Sequence, residues 1–578
     1  MVKLRAKDSE SIWRENDSRN AHLLVPSSPL EGEHYCRLSF SRESGMLCVV
    51  SCPPPVHNDI NVGGEGNAED AGTEQQGWET KVLDEIDPVD IIGAEMEVDF
   101  RSTEWTGFLH ETTQTGGDDK SIDASRAAKP LEHSIPVANT ATVPVRPRRL
   151  NRNMAVAYLN IYCYPKQNSS NRFSMKSSVS RQAHHRQFEV AATEDFAFVR
   201  SVVRGIRCLA NLGHHKSGSK GSGPRPRRYL VVMNPFSGTG EGQRIYDSTV
   251  KPMFAQAGID HDLCVTQHGG HAMDRMASSL GDSRHDSEAE CDEQAESRDL
   301  SSYDALIAMG GDGMLWELQQ GILARHDSEI ILKKLSFGII GCGTCNGLAA
   351  TLLHWANEKY SPLESTYMIC KGQIGPMDLS RYETLSGKIY TGFLTFSWAF
   401  IADVDLDSEC LRFLGALRTD IWAAYRILRM KAYKGVFSYL PPSAVEDRSK
   451  AVTMPPLGEA LPQSWETVSG DFILLWASQV SHASYKEHQS PESQMNDGVF
   501  RVMVVRSPIS RLQMLKLALG IESAGHIHHD RCEMYECMAF RLVPGEEGSH
   551  NDLDGEKIED GPIQACVLPG AANFFFPN

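Results

Sequence analysis

Apolar positions along this chain change rhythm three times. Up to about residue 212 they come as short, strand-like runs: His34–Phe40, Met46–Val50, Val89–Val98 and Met154–Tyr164. Polar inserts at 53–78 and 102–150 separate them, and Phe196–Cys208 has the spacing of an amphipathic helix. From Tyr229 strand and helix patterns alternate. Tyr229–Met233, Asp262–Gln267, Tyr303–Met309 and Leu335–Ile340 read as buried strands, and Val250–Ala257, His271–Leu280, Met314–Ala324 and Gly347–Trp355 as helices. That alternation predicts a doubly wound, three-layer α/β sheet. From Tyr367 strands dominate: Tyr367–Ile374, Lys388–Ala399, Gly435–Leu440, Asp471–Gln479 and Gly498–Val505, with helices near Glu409–Lys431 and Ser510–Ser523. A mainly antiparallel β-sandwich with inserted helices fits this part.

At 578 residues the chain has room for several domains, since a domain takes ~100–200 residues. Composition places the boundaries: a polar, disordered 1–20; a β-rich module over 21–212; a linker at 213–228, rich in Lys, Gly and Ser; the α/β unit over 229–366; and the antiparallel unit over 367–578. Gly281–Arg298 and Pro441–Pro462 read as surface inserts. A net charge of -18 argues against a nucleic-acid partner, which calls for a basic face. The 14 cysteines show no paired spacing and read as reduced thiols, which suits the cytoplasm. No apolar run reaches the ~20 residues that cross a bilayer, so any membrane contact is expected to be peripheral and reversible.

Chemistry concentrates in three Gly-rich turns. Gly310-Gly311-Asp312-Gly313 follows a buried run and precedes a helix. Glycines there leave the backbone open to another molecule, and Asp312 can accept a proton from an incoming hydroxyl, the role of a kinase base. By itself the tetrapeptide suits a tight hairpin equally well. Asn234-Pro235-Phe236-Ser-Gly-Thr-Gly240 follows the first strand, and Gly341-Cys-Gly343-Thr344-Cys345-Asn346 the fourth. Exposed backbone N–H groups in such turns suit phosphate oxygens. A single such loop is as easily an ordinary turn. Three at the carboxyl ends of strands in one sheet are harder to assign to chance, because open α/β sheets bind ligands there.

In this order and spacing the three turns resemble the catalytic domain of the diacylglycerol kinase superfamily. Thr395-Phe-Ser-Trp-Ala-Phe400-Ile401-Ala-Asp-Val404-Asp405-Leu-Asp-Ser-Glu409 resembles the sphingosine kinase signature within it, and Gly415, Arg418, Tyr433–Gly435, Ser510-Arg511 and Asp554-Gly555-Glu556 continue the match. The likeness runs from about Tyr229 to Phe575. It implies ATP-dependent phosphorylation of the primary hydroxyl of a sphingoid base, with Mg2+, and a lipid-binding role for the antiparallel unit. Asp312 would be the base. Asn234, Pro235 and Phe236 would form the first nucleotide loop, Thr266, Gln267, His268, Gly269 and Gly270 the second, and Gly343, Thr344 and Cys345 the third. Glu317 would sit on the nucleotide and magnesium side, Arg412 and Arg418 on the ATP phosphates, and Asp554, Gly555 and Glu556 would return to the nucleotide. Gly310, Gly311 and Gly313 would face substrate with Asp312. Asp405 would recognise the ammonium of the lipid head, with Thr395, Phe400, Ile401 and Val404 beside it. The apolar residues from Phe396 to Val404 suit an alkyl pocket or, equally, a strand facing a core.

Two departures from the family pattern bear on ATP affinity. Thr239 stands where a lysine is usual, and Cys345 where a glycine is usual, so a β-carbon lies at a point of close backbone approach. Arg412 and Arg418 are six residues apart and would share a helix face only across a break near Gly415. Cys342-x-x-Cys345 and His528-His-x-x-Cys532-x4-Cys537 lack the four convergent ligands of a zinc site and are expected to bind no metal. Leu512, Leu515 and Leu519 share a helix face, read as core with lipid docking as the alternative. The first module resembles a pleckstrin-homology-type fold and is expected to regulate or target the rest. The oligomeric state stays open, a homodimer being one option. Rival readings are a kinase for diacylglycerol or ceramide, and a catalytically weak lipid-binding scaffold.

Overall fold

The computed structural model describes 23–25, 34–40, 47–52, 82–87, 90–99, 156–169, 178–190, 203 and 206–207, then 227–278, 299–343, 345–414, 417–545 and 549–576. The expected inserts at 53–78, 102–150 and 281–298, most of the 213–228 linker and nearly all of the 196–208 helix lie outside these residues. Two compact units emerge: one spans 3–165 and 183–211, the other 166–182 and 212–578.

The first unit is a seven-stranded antiparallel sheet. Its strands are β1 (Leu23–Val25), β2 (His34–Phe40), β3 (Leu47–Cys52), β4 (Val82–Ile86), β5 (Ile91–Asp99), β6 (Val156–Cys163) and β9 (His184–Val190), in the order β4-β3-β2-β1-β9-β6-β5. Leu47, Ile91, Ile92, Leu159 and Ile161 are fully buried in it. Between β6 and β9 the chain makes a hairpin, β7 (Lys166–Ser169) and β8 (Ser178–Arg181), that belongs to the second unit.

The second unit opens on four parallel strands in the order β11-β10-β12-β13: β10 (Arg227–Met233), β11 (Ile259–Val265), β12 (Ala305–Gly310) and β13 (Ser336–Gly341). β10 begins two residues inside the expected linker, and Arg227 is buried, donating to the Cys370 and Ala257 carbonyls. The intervening helices are α1 (Gly242–Ile245), continued through a π-helical turn into α2 (Lys251–Gln256), then α3 (His271–Ala277), α4 (Asp312–Leu323), α5 (Ser328–Lys334), α6 (Gly347–Trp355) and α7 (Pro362–Lys371). The strand expected over Tyr367–Ile374 is mostly helix α7. Ser361 caps it by accepting from the Leu363 N–H, and Pro362 enters its first turn, where a missing N–H costs nothing. The strand itself starts later, as β14 (Ile374–Thr384).

Antiparallel pairing then takes over through β15 (Ile389–Gly392), β16 (Thr395–Ala399), β17 (Tyr433–Leu440), β18 (Glu466–Ser478), β19 (Phe500–Arg506), β20 (Glu533–Cys537), β21 (Ala539–Pro544), β22 (Asn551–Leu553), β23 (Glu556–Lys557) and β24 (Ile563–Phe575). β24 joins the two halves of the unit. It runs parallel to β13 at Ser336–Asn573 and antiparallel to β14 and β21. Phe396, Trp398, Phe437, Phe472, Phe500 and Phe540 fill the core of the antiparallel part.

Three helices cover another face: α8 (Phe400–Asp407), α9 (Leu417–Leu428) and α10 (Arg511–Gly520). The run from Thr395 therefore splits. Phe396 and Trp398 point into the strand core, while Phe400 and Val404 lie on α8 against Ile473, Trp476, Met503 and Leu517. On α10 the expected core face is the outer one. Leu512, Leu515 and Leu519 are 63%, 41% and 72% exposed, and Met514 and Leu517 are buried instead. No helix among the described residues is long and apolar enough to cross a membrane.

Phe540 touches Tyr382, Phe396, Phe437 and Phe500 with ring centroids 6.2, 5.6, 6.0 and 5.2 Å away. Phe540→Ala is expected to remove about 3–5 kcal/mol of stability. A urea midpoint that hardly moves would show that this cluster is not the packed centre of the unit.

Candidate active site

The three Gly-rich turns meet at Gly311. A β-carbon there would lie 3.7 Å from Gly343 Cα, 3.9 Å from Ser237 Oγ and 4.0 Å from Asn346 Oδ1. Gly343 is pressed harder, with Gly311 Cα 2.6 Å from where its β-carbon would be. Gly238, at φ 60°, sits against the Cys342 carbonyl. These glycines let three backbone turns approach more closely than side chains would allow.

Asp312 opens α4 and is buried. Its carboxylate accepts the N–H groups of Gly347 at 2.7 Å and Leu348 at 3.1 Å, the first turn of α6. Burial pushes its pKa up to about 6, partly offset by those two N–H donors. A carboxylate so raised is a better proton acceptor than one in water. Asn346 precedes α6 in the left-handed region at φ 53°. Its side chain bonds the Gly343 N–H and carbonyl at 3.0 and 2.7 Å and the Tyr360 hydroxyl at 2.6 Å. The sequence reading passed over Asn346 and Tyr360, although an Asn-Gly pair at a helix start is a usable signal.

In the first loop, Asn234 Oδ1 accepts the Phe236 N–H at 2.9 Å, which folds the chain at Pro235 and leaves the Phe236 ring 78% exposed. Thr239 is exposed beside Glu241. The second loop, Thr266, Gln267, His268, Gly269 and Gly270, is tied to Glu317. That carboxylate accepts the N–H groups of Gly270 at 3.0 Å and Ala272 at 3.2 Å, so Glu317 anchors the loop from below. In the third loop Thr344 lies outside the described residues. Cys345 is exposed and keeps negative φ, so its β-carbon fits without backbone strain; its carbonyl accepts the Tyr485 N–H at 2.9 Å.

The two acids of the Asp-Val-Asp segment separate. Asp403 is buried and accepts from the Tyr433 hydroxyl at 2.6 Å, the Ser549 hydroxyl at 2.5 Å and the Arg426 guanidinium, tying α8 to its neighbours. Asp405 keeps 31% of its side chain exposed, 3.8 Å from the Arg418 guanidinium, with Gly555 close by. Burial raises its pKa to about 6, which Arg418 lowers and Glu409 raises further. Ala399, at φ 69°, makes the turn from β16 into α8. A residue with a β-carbon pays for that region in strain, of the kind found at functional sites.

Arg418 pairs with Glu409 as well as with Asp405. Residues 415 and 416, where a break is expected, and the Arg412 side chain lie outside the described residues. Asp554 is buried and accepts three backbone N–H groups, from Phe393, Leu394 and Thr395, at 2.9–3.0 Å. It holds the start of β16 in place, while Glu556 Oε1 comes within 3.2 Å of a β-carbon position on Gly313.

Magnesium is a hard ion that prefers oxygen and usually takes one or two carboxylates plus phosphate oxygens. Among the described residues no three His, Cys, Asp or Glu side chains converge to hold an ion unaided. Glu556, whose Oε1 comes close to Gly313, is the carboxylate placed to meet a magnesium that arrives on phosphate.

Comparison with known proteins bears on this geometry. Residues 228–382 match the Diacylglycerol kinase catalytic domain family. Sphingosine kinase 1 of Homo sapiens is 31% identical over 384 residues, covering 62% of this chain and 92% of that one. The chain belongs to the sphingosine kinase family. Sphingosine kinase 1 of Arabidopsis thaliana is 26% identical over 357 residues, covering 59% of this chain and 69% of that one. A putative diacylglycerol kinase from Bacillus anthracis str. Sterne superposes with a TM-score of 0.44 at 17% identity, over 62% of this chain and 98% of that one, a likeness too loose to argue from.

The raised acids set a pH profile. Asp312 must be ionised to accept a proton, so kcat/KM is expected to fall about tenfold per unit as pH drops below about 6. Stability should run the other way. A carboxylate whose folded pKa exceeds its unfolded value stabilises most below ~4, and loses that contribution as pH rises through the folded value. For Asp312 and Asp554 that window ends at about 6 and about 7. A rate profile flat between pH 5 and 7 would remove Asp312 from the proton transfer.

Proposed function

We propose that the chain transfers the γ-phosphate of ATP to the primary hydroxyl of a sphingoid base, giving the 1-phosphate and ADP. The observation that carries this reading is Asp312, docked on a helix start among three Gly-rich turns, with the part-exposed acid Asp405 reached from the same turn through Glu556 and Gly555. Asp312 accepts the hydroxyl proton as that oxygen attacks. Asp405 holds the substrate ammonium, and its ionised form is needed for that. The N–H groups of the first and third loops receive phosphate oxygens. Glu556, beside Gly313, would hold a magnesium arriving on the phosphates, and the ion would supply charge neutralisation for the transferred group. The alkyl chain lies along Phe400, Ile401 and Val404, beneath α9 and α10. A kinase for diacylglycerol or ceramide is the second reading, which Asp405 disfavours because those substrates carry no ammonium.

The antiparallel part of the second unit then serves as a β-sandwich lipid domain. The seven-stranded first unit serves as a pleckstrin-homology-like targeting module. Exposed Leu512, Leu515 and Leu519 of α10, beside exposed Leu417, Ile421, Tyr425 and Leu428 of α9, make an apolar face for a bilayer surface. Arg511 links the two helices through the Leu428 carbonyl at 3.0 Å. A lipid whose tail must leave a membrane is the reason to expect a membrane there.

Phosphate transfer from labelled ATP to sphingosine tests the chemistry. Asp312→Asn is expected to lower kcat by about 100-fold or more. Asp405→Asn is expected to raise the sphingosine KM strongly while sparing kcat. Equal turnover by wild type and Asp312→Asn would end the kinase reading, and an unchanged KM in Asp405→Asn would end the ammonium assignment. For the bilayer face, Leu512→Asp with Leu519→Asp should cut sedimentation with phosphatidylcholine vesicles while activity on detergent-dispersed sphingosine holds. Undiminished sedimentation would remove this face from membrane contact.

A further inference from the structure

The hairpin of β7 and β8 is an outlier in the chain path. Its two ends run directly into β6 and β9 of the first unit, yet the hairpin itself is part of the second. What it carries there is a buried cation. The Arg181 side chain is 4% exposed and Glu358 is 9% exposed. Arg181 donates to Glu358 from Nη2 at 2.7 Å and from Nε at 3.3 Å, and its guanidinium lies 3.7 Å from the centre of the Tyr367 ring on α7. Its backbone N–H donates to Glu364 at 3.1 Å, in the first turn of α7. Lys166, opposite Arg181 in the hairpin, donates to the Asn357 carbonyl at 2.9 Å and lies 3.2 Å from Glu358.

Both basic residues thus grip the turn between α6 and α7. Asn357 in that turn has φ 53°, the left-handed conformation that ends α6. A buried ion pair with both partners in place holds one geometry, and loss of one partner leaves an uncompensated buried charge. Three residues on, the same turn presents Tyr360. Its hydroxyl accepts from Asn346 at 2.6 Å, and its ring stacks on Tyr485 at 5.4 Å and 10°. Tyr485 in turn donates its N–H to the Cys345 carbonyl at 2.9 Å. Asn346 closes the third loop on Gly343. Contacts therefore run from Arg181 to Glu358, along two residues of the turn to Tyr360, and from Tyr360 to Asn346 and Gly343.

We propose that the Lys166–Arg181 hairpin is a strap that shapes the third loop within the second unit, with Arg181 as a positioning residue for nucleotide binding. The nucleotide role of that loop rests on the function proposed above; the mechanical link does not. The residues of the strap touch neither Asp312 nor Asp405, so its effect falls on ATP affinity more than on the chemical step or on the lipid.

The test uses the full chain with Arg181→Ala, Arg181→Lys and the milder Glu358→Gln. Amide hydrogen exchange of 341–350 and 356–364 is measured without nucleotide, alongside the KM for ATP, the KM for sphingosine and kcat. Arg181→Ala is expected to speed exchange in both segments and to raise the ATP KM about tenfold, the effect of losing a charge-assisted contact behind a binding group. Sphingosine KM and kcat should stay within about twofold, because neither lipid nor proton acceptor is touched. Arg181→Lys, which keeps the charge but loses the fork and the ring stacking, should fall between. Faster exchange at 341–350 with an unchanged ATP KM upholds the strap and counts against that loop as a nucleotide site. Unchanged exchange at 341–350, whatever happens at 356–364, overturns the strap. A uniform loss of all three kinetic constants with a lowered melting temperature also overturns it, leaving Arg181 a general stabilising residue.

Discussion

Everything at the site is organised around one contact, the Asp312 carboxylate seated on the first N–H groups of α6. A helix start carries partial positive charge and unpaired N–H donors, so it can hold a buried carboxylate. That contact fixes α4 against α6 and thereby joins the turn after β12 to the turn after β13. It also explains why glycine occupies Gly311, Gly343 and Gly347, since the backbones come together before any side chain has room. A β-carbon on Gly347 would meet the Ala483 carbonyl at 2.4 Å, so the loop after β18 closes on the same point. The compromise is visible in the acid itself. Burial drives its pKa up and the two N–H groups hold it down, leaving a base that is ionised at neutral pH but not inert.

A second constraint sits one layer away, in the division of labour between Asp403 and Asp405. Two residues apart on a helix, they point roughly 200° from each other. One faces the interior and is engaged with Tyr433, Ser549 and Arg426, and the other is part-exposed beside Arg418. The interior acid fixes the pitch of α8, and the outer acid benefits from that rigidity without sharing its partners. On a strand both would have faced the same way, and the division would fail.

That difference marks how far the residues could be read before folding. The parallel strands and α6 were legible because continuous apolar runs and 3.6-residue spacing point to one answer each. The three Gly-rich turns were legible because close backbone approach leaves a compositional trace. Helix α7 was not, since Thr366-Tyr-Met-Ile-Cys370 has strand-like residues and only the preceding Ser361-Pro362 with Glu364 argues for a helix start. The switch at Ala399 was hidden because a residue other than glycine takes φ 69°, a choice that tertiary packing imposes. Asp554 was assigned to the nucleotide by motif, yet its three backbone donors come from residues about 160 positions away and leave no trace nearby. On α10 two faces are apolar, so periodicity could not tell the buried one from the exposed one.

β24 has a consequence for how the molecule comes into being. Ser336 of the parallel sheet finds its neighbour in Asn573, and Phe337 in Phe574. On the ribosome the four parallel strands emerge early, but the edge beside β13 has to wait for nearly the whole antiparallel part to be made. During that interval an open strand edge, flanked by Gly341 and the third loop, is available to any other extended segment. Synthesis order thus makes the late strand a seal: the Gly-rich turns acquire their final support only after the antiparallel strands have formed, so a chain stalled in between would carry those turns without a finished scaffold beneath them.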